Sequence, residues 1–190
     1  MSEASGKRLC RFSGRVAYPS PPMIIRTEKP ADFDAINEVV RTAFEGRNEE
    51  VALVRAIRET DGYVPELSLV MVDHDDIVGH IMLSYALIDD TPVLSLAPLS
   101  VRPTHQNRKI GDALTREALR LADQMGEPAC IVLGHPNYYP RFGFEPSRKH
   151  GIEPHVAEMP DDVVMVVRLS TYDPTLRGRI RYPAAFDETS

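Results

Sequence analysis

The segment Gln106-Asn107-Arg108-Lys109-Ile110-Gly111 gathers amides, cations and one glycine between a strand-like run and a helix-like run. Such a junction suits an anion. The first N–H groups of a helix have no intrahelical acceptor, and the helix dipole is positive at that end. Arg102, Arg108 and Lys109 add charge, and Gly111 lets the backbone come close. The ligand to expect is a diphosphate. Neither G-x-x-x-x-G-K-[ST] nor G-x-G-x-x-G is present, so this is not a nucleotide loop of either kind. A solvated basic turn has the same composition, and the residues alone leave both readings open. Other chemistries lack their patterns: the six histidines and two cysteines form no H-E-x-x-H or C-x-x-C, and there is no G-x-S-x-G elbow.

The elements that must hold this loop can be read from periodicity. Met23 to Thr27 reads as a strand. Asp32 is placed to cap a helix carrying Ile36, Val39, Val40, Ala43 and Phe44 at helical spacing. Asn48 is placed to cap a second helix with Val51, Val54 and Ile57, which Thr60-Asp61-Gly62 ends. Leu67 to Val72 and Ile77 to Leu87 read as a hairpin around His74-Asp75-Asp76, and Val93 to Val101 as a third antiparallel strand. Pro98 lies inside that strand. Proline cannot donate to a ladder, so it belongs at an edge or a bulge. A strand that pulls away there leaves backbone groups that need partners, and a ligand running like an extra strand would supply them. Ile110, Ala113, Leu114, Ala118, Leu121, Ala122 and Met125 make one apolar helical stripe, stopped by Gly126. Ala129 to Leu133 reads as a buried strand reached by a parallel crossover, Tyr138 to Phe142 as a short element, and Asp162 to Leu169 as a last strand.

The 190 residues suffice for one domain with a real core; 43% are hydrophobic and 26% charged. A net charge of −6 argues against a general nucleic-acid binder, and no apolar run reaches membrane-spanning length. Two cysteines, Cys10 and Cys130, make no disulfide framework, which points to a cytoplasmic protein. Residues 1–22 carry Lys7, Arg8, Arg11 and Arg15 against Glu3 and lack an apolar h-region. They are expected to form a disordered basic extension, with residues 23–190 as a single domain.

The string VRPTHQNRKIGDAL resembles the V-x-P-x-x-Q-x-x-G-x-G/A signature of the GNAT superfamily, the Gcn5-related N-acetyltransferases. Val101, Pro103, Gln106 and Gly111 match in register, while Lys109 stands where the first signature glycine falls. Tyr139-Pro-Arg-Phe-Gly-Phe144 is similar to the Y-x-x-x-G-F element near the end of such domains. The strings LGHPNYYPRFGFEP and GRIRYPAAF resemble a bacterial subgroup of predicted N-acetyltransferases with a very short helix at this point. The resemblance spans about Met23 to Leu169. It implies an α/β fold with a mixed, mostly antiparallel sheet, a central V-shaped splay, and helices on both faces.

The resemblance also implies a reaction. Acetyl-CoA would donate its acetyl group to a primary amine of a small molecule or peptide, by direct attack in a ternary complex. Leu99, Ser100 and Val101 map to the splayed strand that binds pantetheine and stabilises the oxyanion. Gln106, Asn107, Arg108, Lys109, Ile110 and Gly111 map to the pyrophosphate loop. Tyr139 maps to the general acid, since a phenol stays protonated at neutral pH and can serve a leaving thiolate. The asparagine that members often carry before this tyrosine falls on Val132 and is not carried over. Glu45, Glu49 and Glu50 lie where the family shapes its acceptor site; His80 reads as structural, and His135 lies just before Tyr139. No single base is legible. The family often dimerises. Two rival readings are a non-catalytic acyl-CoA-binding module, which would tolerate loss of Tyr139, and a GNAT fold that has lost CoA, which Lys109 would favour.

Overall fold

The computed structural model describes residues 23–183. The basic segment 1–22 lies outside the described residues. Strand β1 (Ile24–Thr27) leads through a 3₁₀ turn into α1 (Phe33–Ala43), followed by α2 (Glu49–Arg58). Strands β2 (Tyr63–Asp73), β3 (Asp76–Ile88) and β4 (Thr91–Val101) form an antiparallel meander that also pairs β1. Helix α3 (Ile110–Gln124) then crosses over to β5 (Ala129–Leu133), which runs parallel to β4. A 3₁₀ turn (Tyr139–Phe142) precedes β6 (Glu145–Pro146), β7 (Ile152–Glu153), β8 (Val164–Arg168) and β9 (Gly178–Arg181). The main sheet has the order β1-β2-β3-β4-β5-β8-β6, with β9 joining the end of β3 and pairing β7.

The two faces follow from side-chain alternation. On one face Leu67, Leu69, Ile81, Leu83, Leu94 and Leu96 pack with Ile110, Leu114 and Ala118 of α3. On the other, Val70, Val72 and Met82 pack with Ile36, Val39 and Val40 of α1 and with Val54 and Ile57 of α2. Among the described residues no helix is long and apolar enough to cross a membrane.

Three local expectations change. Asp32 does not cap α1: its carboxylate turns back to Arg26 at 2.6 and 3.0 Å and accepts the Lys29 N–H at 2.8 Å, because the 3₁₀ turn runs straight into the helix. Asn48 has helical backbone and makes no side-chain cap. Strand β2 starts four residues earlier than its β-rich run, with Pro65 in the stretch where its register with β3 breaks between Tyr63 and Ser68.

Pro98 marks a bulge. The pairs Leu83–Leu96 and Ile81–Leu99 enclose Met82 alone on β3 but Ala97 and Pro98 on β4. Beyond it the sheet opens. Strand β4 pairs β5 only at Leu94–Cys130 and Ser95–Ile131, although both strands continue.

Candidate active site

The splay exposes one side of β4. The Arg102 N–H donates to the Val78 carbonyl at 2.9 Å, so antiparallel alternation turns the backbone of Ser100 toward β3 as well. Leu99 and Val101 therefore direct their N–H and C=O groups to the open side, where the Gln106 amide reaches the Val101 carbonyl at 3.3 Å. Of the three residues mapped to an oxyanion role, Ser100 keeps its N–H in the β3 ladder. Its buried hydroxyl is what lacks a partner.

The loop after β4 ends beside that open side. Among the described residues, the N–H groups of Asn107 through Asp112 donate to no backbone carbonyl or side chain; the first such bond in the helix is Ala113 N–H to Lys109 at 3.0 Å. These are the free donors of a helix start. Asn107 and Lys109 adopt left-handed backbone, with φ of 62° and 61°. Lys109 thus supplies the conformation a glycine would, and its side chain is exposed. Arg102 is tied to the Ile77 carbonyl at 2.8 Å, while Arg108 and His105 approach Asp73 at 3.7 and 3.6 Å. A lysine in left-handed backbone is strained by about 1–2 kcal/mol. Lys109→Gly is expected to raise stability by up to about 1 kcal/mol after the looser unfolded chain is counted. Lys109→Val lowers it, and thermal unfolding of both variants checks the contrast.

Gly111 also makes room for a side chain from a later segment. A Cβ there would sit 2.7 Å from the Tyr138 hydroxyl. That hydroxyl donates to Asp112 Oδ1 at 3.2 Å, in the first turn of α3. Burial and the Asp112 carboxylate push the Tyr138 phenol up to about 12. Tyr138 is therefore the strut between the short 3₁₀ turn and the start of α3. The sequence hid this, because only the fold shows what fills the space above Gly111.

Tyr139 is buried, with its ring edge-on to Tyr138 at 5.1 Å and to Phe144 at 5.5 Å. Burial raises its pKa, so the phenol stays protonated. Gly134, at the end of β5, makes room for it: an added Cβ would meet the Tyr139 ring at 2.2 Å. Gly134→Ala must move that ring. The expected cost is about 1–3 kcal/mol, as a lowered Tm, from overpacking. Glu45, between α1 and α2, and Glu49, which opens α2, are exposed, Glu50 is half-buried, and His135 is exposed.

One constellation escaped the sequence. Glu28, just after β1, is enclosed beneath α2. Arg58 donates to both of its oxygens at 2.8 Å, Tyr63 donates at 2.7 Å, and His80 Nε2 lies at 3.1 Å. Burial opposes ionisation of Glu28, but the bonds from His80, Arg58 and Tyr63 outweigh it and hold the carboxyl well below its usual range. Burial pushes the His80 imidazole down against the pull of Glu28, so the ring is neutral. The available signal was Ser68 and His80, polar residues interrupting apolar strands.

A splayed sheet whose open strand runs to a donor-rich helix start offers one site for an extended, amide-bearing arm and an adjoining one for an anion. The match to known families is consistent with this: residues 24–147 match the acetyltransferase (GNAT) domain. The chain is 35% identical over 158 residues to the uncharacterized N-acetyltransferase YjhQ of Escherichia coli K12, covering 80% of this chain and 87% of that one. It superposes on the structure of the GNAT family N-acetyltransferase YhbS from Escherichia coli in complex with CoA, with TM-score 0.82 and 26% identity, covering 90% and 95% of the two chains. It also superposes on a GNAT family acetyltransferase from Brucella melitensis in complex with acetyl-CoA, with TM-score 0.73 and 30% identity, over 87% and 99%. This chain belongs to the GNAT acetyltransferase family.

Proposed function

We propose that residues 23–190 form one domain that transfers an acetyl group from acetyl-CoA to a primary amine of a small molecule or peptide, in a ternary complex. One observation carries this reading: the free backbone edge of β4 and the unpaired N–H groups of residues 107–112 adjoin. Those two features suit a ligand with an amide-bearing arm and a diphosphate. CoA has both. In this reading Leu99 and Val101 pair with the arm and offer an N–H to the developing oxyanion. Gln106, Asn107, Arg108, Lys109, Ile110 and Gly111 hold the diphosphate, mainly through backbone. Tyr139 protonates the departing sulfur. The CoA and acetyl-CoA complexes of the related structures support the choice of co-substrate. A cytoplasmic setting accords with the buried free thiol of Cys130.

Calorimetric titration tests the reading. Acetyl-CoA is expected to bind with micromolar affinity, desulfo-CoA comparably, and ATP not at all. Absence of acetyl-CoA binding would leave only the fold and remove the enzyme assignment.

A further inference from the structure

The helix start that suits a diphosphate carries a negative charge of its own. Asp112 lies in the first turn of α3, and its N–H is one of the free donors. A carboxylate there is favoured by the helix dipole in the free protein, but it repels a bound anion. The fold brings a counter-charge from another segment. Arg141, in the 3₁₀ turn Tyr139–Phe142, sets its Nη1 3.7 Å from Asp112 Oδ1, the oxygen that accepts the Tyr138 hydroxyl. Of the loop's own arginines, Arg102 is tied to Ile77 of β3 and Arg108 pairs with Asp73 of β2, so both are drawn toward the β2–β3 hairpin. Arg141 is the one drawn toward the helix start itself.

The guanidinium is held but not spent. At 3.7 Å it pairs with Asp112 without a hydrogen bond. Its Nη2 donates to the Asn137 carbonyl at 3.3 Å, just beyond the usual range, and it makes no other hydrogen bond among the described residues. A guanidinium has five N–H donors, so most of them are available, and the side chain is half-exposed. Its plane is nevertheless fixed. Cζ lies 4.7 Å from the centroid of the Tyr138 ring, and that ring is set by its own bond to Asp112 and by edge contacts with Tyr139 and Phe142. An arginine stacked on an aromatic face loses little further freedom when it meets an anion.

We infer that Arg141 is a further CoA-binding residue: its guanidinium, stacked on Tyr138 and set beside Asp112, pairs with a phosphate of the bound co-substrate. The inference rests on the proposed CoA site at residues 106–111. CoA carries a diphosphate and a 3′-phosphate, and both present the paired oxygens that a guanidinium fork matches. Asp112 then has a use. It draws the guanidinium to the helix start in the free protein, and Arg141 offsets its repulsion once a phosphate is bound.

Calorimetric titrations of the full chain with CoA and with 3′-dephospho-CoA test it. Arg141→Gln is expected to weaken CoA binding about tenfold, the low end for a bond between charged groups because the side chain is half-exposed, with a Tm close to that of the wild type. Arg141→Lys keeps the charge and loses the fork, so its affinity should fall between the two. With dephospho-CoA the Arg141→Gln loss vanishes if the partner is the 3′-phosphate and persists if it is the diphosphate. Asp112→Asn in the Arg141→Gln background separates contact from screening: the double variant is expected to regain only part of the affinity. Full recovery would mean that Arg141 merely cancels Asp112, and that result overturns the inference, as does unchanged CoA binding by Arg141→Gln; both leave the cofactor reading intact. If the wild type binds no CoA, the cofactor reading falls and the role of Arg141 with it.

Discussion

Glu28→Ala is expected to lower the thermal midpoint by about 10 °C. The carboxylate is 1% exposed and its partner Arg58 8%. Removing one member of a buried pair strands the other charge, at about 3–5 kcal/mol. For a chain of this size each kcal/mol is about 2–4 °C. Replacing both with apolar residues, as in Glu28→Met with Arg58→Met, is expected to cost less than Glu28→Ala alone, because no charge is left buried. The Arg58 guanidinium also covers the Phe33 ring at 3.9 Å, a contact that the long, unbranched methionine side chain partly replaces. The pH dependence has a definite sign. Glu28 is depressed in the fold, so its stabilisation is present above its ordinary value of 4.5 and lost as pH falls below it. His80 is depressed too, so its contribution is present above 6.5 and lost as pH falls through that value. The wild-type midpoint should therefore drop in two stages on acidification. Glu28→Ala should flatten the lower stage, and midpoints measured from about pH 7 down to about pH 3 check it.

What was legible in the sequence was whatever has a local period. Ile36, Val39 and Val40 fixed the buried face of α1, and Ile110, Leu114, Ala118 and Ala122 most of that of α3, although Met125 at the end of the expected stripe is exposed and Leu119, outside it, is buried. Pro98 pointed to the bulge, since its missing N–H constrains one strand without reference to partners. The loop at 106–111 was legible as a helix start for the same reason. Contacts between distant segments were not. Asp32 and Asn48 have cap-forming side chains, but Arg26 claims the first and neither caps. Strands β6, β7 and β9 span two to four residues, too short for any alternation to show. The left-handed backbone at Lys109 contradicts residue preference, and only the fold could impose it. Glu28 from the segment after β1, Arg58 of α2, Tyr63 of β2 and His80 of β3 meet only after the sheet and α2 have packed.

Tyr139→Phe has the largest expected effect on activity. In the proposed reaction it lowers kcat about 10²–10⁴-fold, the range for losing a placed general acid. Among the described residues the Tyr139 hydroxyl makes no hydrogen bond, whereas its ring packs against Tyr138 and Phe144. Phenylalanine keeps that packing. The variant should unfold near the wild-type temperature and bind acetyl-CoA with little change. Tyr138→Phe gives the contrast. It loses the bond to Asp112, so it should shift stability slightly and leave kcat within a few-fold. Burial, with Tyr138 and Cys130 nearby, raises the Tyr139 pKa above its ordinary 10.0. A raised phenol remains an acid through neutral and mildly basic pH, so its ionisation cannot produce a falling limb below about pH 10. A kcat profile that stays level to that point in the wild type, together with the unequal responses of the two tyrosines, distinguishes an acid from a packed ring. Equal responses would assign both tyrosines to packing and leave the departing sulfur to be protonated from water.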